Sequence, residues 1–379
     1  MSEPPPYRAG LGHIVPPGHI RIGASIALPA VLKERGFSSE TLCREEGVHP
    51  DIFGHPDNTM PYGHFCRFLR RCVQETGRDD LGLLICEGTG PSSLGLVGFL
   101  LQQAPDVGSA LADLVRYLRH SDRGAITFLN RSKDMASLVY MIYDGDVPAA
   151  AQIYDGALAI GRNMMKALCG PRWTPTEVWL ARPKPISSAL YERFFETPVR
   201  FEAEYCALVF SGFWLDTPLP NADPALRAML KEQIDLLERE DGGTLSEQVR
   251  RLLRTVLLSR RGSLDDVRLG LHMTRKTLAR RLAAEGTTFT KLSDEMRFEV
   301  ARHLLRNTSM TMSGVTAALD YSEASAFSRA FKQWSGLSPT EWRRQNRRQP
   351  HDASLGPPAG LAHDAGVPPS GAAGLTFLT

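Results

Sequence analysis

The chain has 379 residues, enough for two or more domains, and its 23% charged and 42% hydrophobic residues are typical of a soluble globular protein. No apolar run approaches the roughly 20 residues that a membrane-spanning helix needs. The N-terminal sequence MSEPPPYRAG lacks the apolar segment of a signal peptide. These features favour a cytoplasmic location without a membrane partner.

The net charge of +2 is unevenly distributed along the chain. Residues 243–349 contain 20 basic and 10 acidic side chains, whereas the remainder contains 24 basic and 32 acidic ones. A basic segment beside an acidic remainder indicates a polyanionic partner for that segment. The alternative is a solvated basic face without a partner.

All six cysteines lie outside the basic segment, and none forms a C-x-x-C pair or a Cys/His cluster with zinc-finger spacing. The pattern predicts small buried thiols in a reducing compartment. A redox or metal sensor is the alternative. The sequence indicates no cofactor and no metal site.

Residues 1–19 are rich in Pro and Gly and are predicted to be disordered. Residues 20–220 predict an α+β domain, with helices first and a small antiparallel sheet afterwards. The predicted helices cover 25–35, 39–46, 94–103, 149–168 and 188–195, with two more beginning at Pro61 and after the N-cap residue Asp106. The predicted strands cover 125–130, 137–143, 176–180 and 199–210.

The sequence of residues 221–243 indicates a linker helix followed by a hinge. Asp223 is the expected N-cap, and an apolar stripe follows it, formed by Leu226, Leu230, Ile234 and Leu237. This stripe either packs on its own domain or pairs with a second copy of the chain. The sequence Asp-Gly-Gly at 241–243 is the expected hinge.

Residues 244–349 predict an all-α domain with two helix-turn-helix motifs joined by a long helix. A capping box, Thr244 with Glu247, begins its first helix. In the first motif, a helix over 267–271 and a turn at 272–273 precede a helix capped by Thr274, whose Leu278 and Leu282 point inward. The long helix covers about 291–306.

The second motif lies within 313–342. A short apolar helix runs into a turn at Asp320, and Ser322 is the expected N-cap of the next helix. Phe327, Phe331 and Trp334 on that helix follow the helical period and predict a buried face. Residues 350–379 lack any such period and are predicted to be disordered.

The second motif resembles the C-terminal signature of the AraC/XylS family of bacterial transcription regulators. The matching residues are Tyr321, Ser325, Phe327, Arg329, Phe331, Lys332, Gly336, Ser338 and Pro339. The first motif resembles the same family at Met273, Thr274, Leu278, Arg280, Arg281, Leu282, Gly286 and Thr287. Three positions depart from the pattern: Asp320 replaces the usual turn Gly, and Arg268 and Thr316 replace small residues. Asp tolerates a left-handed turn better than most residues.

Most of 20–235 resembles the arabinose-binding type of N-terminal sensor found in one branch of that family. The landmarks are Met60-Pro61-Tyr62, Leu81-Gly82-Leu83, Ser93-Leu94-Gly95, Ala110-Leu111, Gly170-Pro171-Arg172-Trp173, Arg193-Phe194-Phe195 and Pro198-Val199-Arg200-Phe201. The resemblance implies a small-molecule effector, without implying arabinose. It also implies a homodimer that binds double-stranded promoter DNA and contacts RNA polymerase.

Twelve residues are the candidate DNA contacts: Thr274, Arg275, Lys276, Ala279, Arg280, Arg281, Ser322, Glu323, Ala324, Ser325, Ser328 and Arg329. By resemblance, Lys276, Ala279 and Arg280 occupy base-edge positions. Thr274, Arg281 and Ser322 suit phosphate contacts near helix starts, and Arg329 suits a structural or phosphate role. The alternative is that these arginines solubilise the helices or pair with Asp265, Asp266 and Glu285.

The ligand-binding residues of the sensor are unknown at this point. Polar residues on apolar elements are His64, His120, Tyr143, Asp155 and Arg162, and each is more often structural than ligand-binding, so none is assigned. The leading interpretation is an effector-controlled regulator, most relatives of which activate. The alternatives are an enzyme, which no catalytic motif supports, and a constitutive or architectural DNA-binding protein whose N-terminal domain only dimerises.

Overall fold

The computed structural model describes residues 15–346 except for 17, 123, 133, 143–149, 186, 241–243, 260–266, 268–270, 272 and 308–309. Several predictions lie outside the described residues. These are residues 1–14 of the predicted disordered segment 1–19, the predicted disordered tail 350–379, the predicted hinge at 241–243, the position of Arg268, and most of the predicted helix at 267–271. At the end of the segment 1–19 the prediction of disorder was wrong, because Val15 is fully buried and His19 begins a strand.

The N-terminal part begins with a two-stranded antiparallel pair and a group of helices. The strands are β1 (His19–Arg21) and β2 (Thr59–Pro61). The helices are α1 (Leu28–Lys33), α2 (Ser39–Glu45), α3 (Tyr62–Thr76), α4 (Leu81–Cys86), α5 (Leu96–Gln102) and α6 (Val107–Tyr117). The expected N-cap of α6 is confirmed, because Asp106 Oδ1 accepts the Ser109 N–H at 2.7 Å.

A five-stranded sheet follows, in the order β3-β4-β7-β5-β6. Its strands are β3 (Ala125–Arg131), β4 (Met135–Ile142), β5 (Glu177–Trp179), β6 (Val199–Arg200) and β7 (Cys206–Ser211). All pairs are antiparallel except β5 with β6. Helices α7 (Ala150–Cys169) and α8 (Ala189–Phe195) occur between the strands.

The prediction of one strand over 199–210 was wrong, because the structure divides it into β6 and β7. Between them, Glu202 has a φ of 58°, in the left-handed region that breaks an extended run. Its N–H donates to the Arg182 carbonyl at 2.8 Å instead of continuing a ladder.

The linker helix α9 (Pro224–Glu240) begins at the expected cap, since Asp223 Oδ1 accepts the Ala225 N–H at 2.8 Å. Ile234 is buried at 1% exposure, and Leu230 and Leu237 pack beside it on the N-terminal core. Leu226 is 41% exposed. Three residues of the predicted stripe therefore pack on their own domain.

The C-terminal part is helical in every described element. Its helices are α10 (Leu245–Ser259), α11 (Arg275–Ala284), α12 (Phe289–Asn307), α13 (Met312–Ala318), α14 (Ala324–Ser335) and α15 (Pro339–Asn346). The capping box at the start of α10 is confirmed, because Glu247 N–H donates to Thr244 Oγ1 at 3.3 Å and Thr244 N–H donates to Glu247 Oε2 at 3.2 Å.

In the part of the chain that the structure describes, buried side chains form two hydrophobic cores, and the sheet contributes to both of them. One face of the sheet, including Leu138, Leu208 and Phe210, belongs to the N-terminal core. The other face belongs to the core of the C-terminal helices. The central strands β4 and β7 are therefore buried on both faces.

Candidate DNA-binding surface and sensor cavity

Helix α11 carries a basic surface on a small apolar base. Thr274 caps it by accepting the Thr277 N–H at 3.2 Å, and Leu278 and Leu282 are buried at 2% and 0% exposure. Six of the predicted DNA contacts are exposed here: Thr274, Arg275, Lys276, Ala279, Arg280 and Arg281. Lys276, Arg280 and Arg281 form no salt bridge with another described residue. Their charges face solvent.

The second motif is formed by α13, a turn and α14. The turn residue Asp320 adopts a φ of 59°, so it takes the left-handed conformation expected at this position. Thr316 fits within α13 because its hydroxyl donates to the Met312 carbonyl at 2.8 Å. Arg297 on α12 supports the turn by donating to the Leu319 carbonyl at 3.1 Å and lying over the Tyr321 ring.

The prediction that Ser322 caps α14 was wrong. Glu323 occupies the N-cap position, in extended conformation, and its side chain makes no capping hydrogen bond. Glu323 Oε2 instead accepts the Ser325 hydroxyl at 3.1 Å. The other six predicted DNA contacts lie at this helix start and along α14, and all are exposed: Ser322, Glu323, Ala324, Ser325, Ser328 and Arg329.

An aromatic cluster fixes α14 on its neighbours. The Phe331 ring lies 5.5 Å from Phe298 on α12, 5.7 Å from Phe327 and 5.9 Å from Trp342 on α15, measured between ring centroids. Phe327 and Phe331 are fully buried. These rings hold the exposed face of α14 in one orientation relative to α12.

Charged side chains tie α10 to the rest of the C-terminal helices. Arg250 and Arg254 pair with Glu295 and Glu299 on α12, at 3.0 Å and 2.8 Å. Glu285, at the end of α11, accepts the Leu245 and Ser246 N–H groups at 2.8 Å each. Among the described contacts, the Glu285 carboxylate therefore caps α10. The alternative that the candidate arginines pair with Asp265, Asp266 and Glu285 stays open, because Asp265 and Asp266 lie outside the described residues.

The outer face of the sheet packs against the C-terminal helices. Phe128 on β3 is paired with Val139 on β4, which is paired with Ala207 on β7. These three residues share one core with Val249 and Leu253 of α10, and α10 contacts β3 directly. Sequence reasoning missed this interface. The signal was available, because the uninterrupted apolar runs 138–142 in β4 and 206–210 in β7 indicate strands buried on both faces.

The inner face of the sheet borders a cavity of about 120 Å³. Its wall includes Phe65 of α3, Met164 of α7, Leu138 and Tyr140 of β4 and Leu208 of β7. His64, His120, Asp155 and Arg162 do not line this cavity, and Tyr143 lies outside the described residues.

Asp155 is buried in a polar cluster away from the cavity. Its carboxylate accepts hydrogen bonds from Arg182, with which it forms an ion pair, and from the Tyr191 hydroxyl at 2.7 Å. Burial raises the pKa of Asp155 to about 6, and the charge of Arg182 limits that rise. Arg162 pairs with Glu196 at 2.6 Å, and His64 Nε2 lies 2.8 Å from the Glu46 carbonyl. These residues have structural partners.

All six cysteines are free thiols, and Cys43, Cys66, Cys72, Cys86 and Cys206 are buried. Burial raises the pKa of Cys43 to about 11 and that of Cys72 and Cys86 to about 12. Such thiols are protonated and poorly reactive at neutral pH.

Helix α11, the pair α13 and α14, their exposed basic and polar faces and the long helix α12 between them define a helix-turn-helix DNA-binding protein with an N-terminal α+β domain. Comparison with known families agrees with this class. Residues 36–219 match the arabinose-binding domain of AraC transcription regulators, and residues 270–345 match a helix-turn-helix domain.

Known transcription regulators match nearly the whole chain. The uncharacterised HTH-type regulator Rv1395 of Mycobacterium tuberculosis is 30% identical over 353 residues, covering 88% of this chain and 100% of its own. The regulator VirS of the same species is 27% identical, covering 83% and 93%. The ornithine utilization regulator of Pseudomonas aeruginosa is 25% identical, covering 84% and 94%.

Among solved structures, the transcriptional regulator CdpR of Pseudomonas aeruginosa aligns with a TM-score of 0.39 and 23% identity, covering 80% of this chain and 96% of its own. The chain belongs to the AraC family of transcriptional regulators. Across the part of the chain that the structure describes, no helix has the length and apolar character to cross a membrane.

Proposed function

We propose that this chain is a sequence-specific transcription activator whose DNA binding is controlled by a small-molecule effector held in the N-terminal domain. One structural observation supports control of DNA binding by the effector. The strands that border the sensor cavity with one face support the DNA-binding helices with the other. An effector in the cavity therefore lies one sheet thickness from the core of the C-terminal helices, which is called the second core below.

The alternation along β4 gives this proposal its physical basis. Leu138 and Tyr140 line the cavity, whereas Val139 and Met141 belong to the core of the C-terminal helices. Successive side chains of a strand point to opposite faces, so a displacement of β4 acts on both. A ligand that favours one arrangement of the strand shifts the population of the attached helices.

Two methionines provide a matched test of this coupling. Met141 is 6% exposed in the second core, and Met165 of α7 is fully buried in the N-terminal core without lining the cavity. In the full-length protein, we expect Met141→Ala to change the affinity for specific DNA, whereas Met165→Ala leaves it unchanged. Fluorescence anisotropy measures the affinity. If both variants bind DNA as tightly as the wild type, control through the sheet is contradicted and a constitutive DNA-binding protein is favoured.

We propose that α11 and α14 enter two successive major-groove segments, about 34 Å apart along one DNA face. Lys276 and Arg280 suit guanine edges, and Ala279 suits a thymine methyl group. At α14, Ser325 and Ser328 suit base edges, and Glu323 suits a cytosine amino group. Selection by the full-length protein from random duplexes should enrich two short motifs one helical turn apart. Enrichment of a single motif would contradict simultaneous reading by both helices.

We further propose that the protein acts in the cytoplasm and contacts RNA polymerase, as the resemblance to activators implies. In a purified transcription reaction, the protein should increase transcript yield from a promoter that carries the selected duplex. A decrease would identify it as a repressor.

We propose a homodimer formed through the outer side of α9. Leu226, Met229 and Leu236 are 41%, 67% and 43% exposed, and their spacing places them along one stripe of this helix. In sedimentation velocity, Met229→Glu should convert a dimer to a monomer. Phe213→Glu is the matched control, because Phe213 is similarly exposed, at 68%, but does not belong to α9. A dimer unaffected by Met229→Glu would exclude this surface.

A further inference from the structure

The wall of the sensor cavity is apolar over most of its area. Aliphatic and aromatic side chains reach it from the helices and the sheet, including Phe65, Leu69, Leu114, Ile153, Met164 and Leu208. A cavity of about 120 Å³ is comparable with the roughly 150 Å³ apolar cavity that accommodates benzene in another protein. The space fits a molecule about the size of one aromatic ring.

Three polar side chains of the wall, those of Thr127, Ser93 and Gln152, are hydrogen-bonded to the protein itself. The Thr127 hydroxyl donates to the Val139 carbonyl at 2.6 Å, and the Ser93 hydroxyl donates to the Gly90 carbonyl at 2.8 Å. Gln152 uses both ends of its amide, because Oε1 accepts the Gly82 N–H at 2.7 Å and Nε2 donates to the Asp79 carbonyl at 2.8 Å. A ligand with several hydroxyls would lose hydrogen bonds to water and recover few here.

The two charged side chains of the wall already have partners within the protein. Arg21 forms a buried ion pair with Asp57 and donates from Nε to the Pro56 carbonyl at 3.1 Å. Asp122 accepts the Tyr140 hydroxyl at 2.5 Å and the Gly124 N–H at 2.8 Å. A charged ligand would lose its hydration against a mainly apolar wall, and an anion would find Arg21 already paired with Asp57, so burial of the ligand charge is unfavourable.

We infer that the cavity binds an uncharged, predominantly apolar molecule about the size of a single aromatic ring, with at most one hydroxyl, rather than a sugar or an organic ion. This inference rests on the proposed effector control, and it specifies the chemistry of the effector. The driving force is removal of apolar ligand surface from water. The Ser121 and Tyr140 hydroxyls of the wall already donate to the Leu94 carbonyl and to Asp122, so each can offer a single ligand hydroxyl only an acceptor oxygen.

The test uses the full-length protein and five small probes: toluene, benzyl alcohol, benzoate, benzylammonium and L-arabinose. A ligand that binds the folded state raises Tm in a concentration-dependent manner. We expect toluene and benzyl alcohol to raise Tm saturably, and benzoate and benzylammonium to bind at least about tenfold more weakly. L-arabinose should have no effect. Stabilisation by arabinose or benzoate at concentrations where toluene has none would overturn the inference, as would no response to either uncharged probe.

Two substitutions on α7 show whether a probe occupies the cavity. Ala157 lines it, and Ala151 belongs to the same helix without lining it. Ala157→Leu fills part of the space and should abolish the Tm rise with toluene, whereas Ala151→Leu should retain it. Retention of the rise in Ala157→Leu places the probe elsewhere and overturns the assignment of the site.

Effector control is read separately in the same samples, through the affinity for the selected duplex. Toluene that raises Tm but leaves DNA affinity unchanged contradicts effector control and leaves the ligand class intact. Charged or sugar probes that change DNA affinity support effector control and refute the ligand class.

Discussion

The two candidate recognition helices, α11 and α14, are constructed differently. Helix α11 carries four basic and no acidic side chains, above a base of two buried leucines. Helix α14 carries Arg329 and Lys332, begins beside Glu323, and lies on a cluster of aromatic rings. The comparison predicts that α11 supplies most of the electrostatic attraction to DNA, whereas α14 presents a firmly held surface of mixed polarity.

The largest expected effect is on the aromatic base of α14. Phe331→Ala removes a fully buried ring that contacts three others, and we expect it to lower the free energy of unfolding by about 3–5 kcal/mol. Chemical denaturation of the full-length protein measures the loss. Phe331→Leu should lose less, because it leaves a smaller cavity. Equal losses in the two variants would show that ring packing does not hold α14.

On α11, two adjacent arginines separate base reading from phosphate attraction. Arg280→Ala should weaken binding to the selected duplex by about 1–3 kcal/mol and relax the preference at one base. Arg281→Ala should weaken specific and random DNA similarly and reduce the salt dependence by about one phosphate contact. Titrations at several salt concentrations measure both effects. Identical behaviour of the two variants would reassign Arg280 to phosphate.

The N-caps of α11 and α14 are predicted to contribute differently to stability. Thr274→Ala removes a side-chain cap from α11 and should lower the free energy of unfolding by about 1 kcal/mol. Glu323→Ala should have a smaller effect on unfolding, because the Glu323 side chain makes no capping bond. If thermal denaturation instead finds Glu323→Ala to be the more destabilising change, the assigned caps are incorrect.

The smallest expected effect concerns the pH dependence at Glu285. Partial burial raises the pKa of Glu285, but hydrogen bonds from Ser246 and Leu245 outweigh burial and place it below the ordinary value of 4.5. Its contribution to stability is therefore present above pH 4.5 and is lost as the pH falls through the lowered pKa of the folded state.

The variant Glu285→Gln keeps an acceptor but does not titrate. The Tm difference between wild type and Glu285→Gln should shrink from about pH 6 to about pH 3.5. A difference that stays constant over this range would show that the ionised carboxylate does not stabilise the start of α10.

Local features were predictable from the sequence because their causes are local. Asp106, Thr244 and Thr274 cap the expected helices, since a cap depends on residues within one turn. The buried positions of Leu278 and Leu282 follow from the helical period alone. The exposed positions of the twelve candidate DNA contacts follow from the same period.

Features that depend on distant residues were not predictable in this way. The break at Glu202 depends on a backbone bond to Arg182, twenty positions earlier in the chain. The cavity needs α3, α7 and the sheet to meet, and no local pattern specifies that meeting. Phe128 and Val139 pack in one core with α10, which lies more than one hundred residues further along the chain. The pattern of the strands therefore indicates that these residues are buried, but it does not identify the helix that buries them.

The two-sided burial of the sheet affects how the chain unfolds. The second core contains Phe128, Val139 and Val209 together with Val249 and Leu253, so the boundary between sequence modules does not coincide with the boundary between cores. Cleavage of the chain between α9 and α10 would leave an apolar sheet face open to water on one fragment and promote its aggregation. Intact protein should instead lose both halves in one calorimetric transition, because neither half keeps its full core when the other melts.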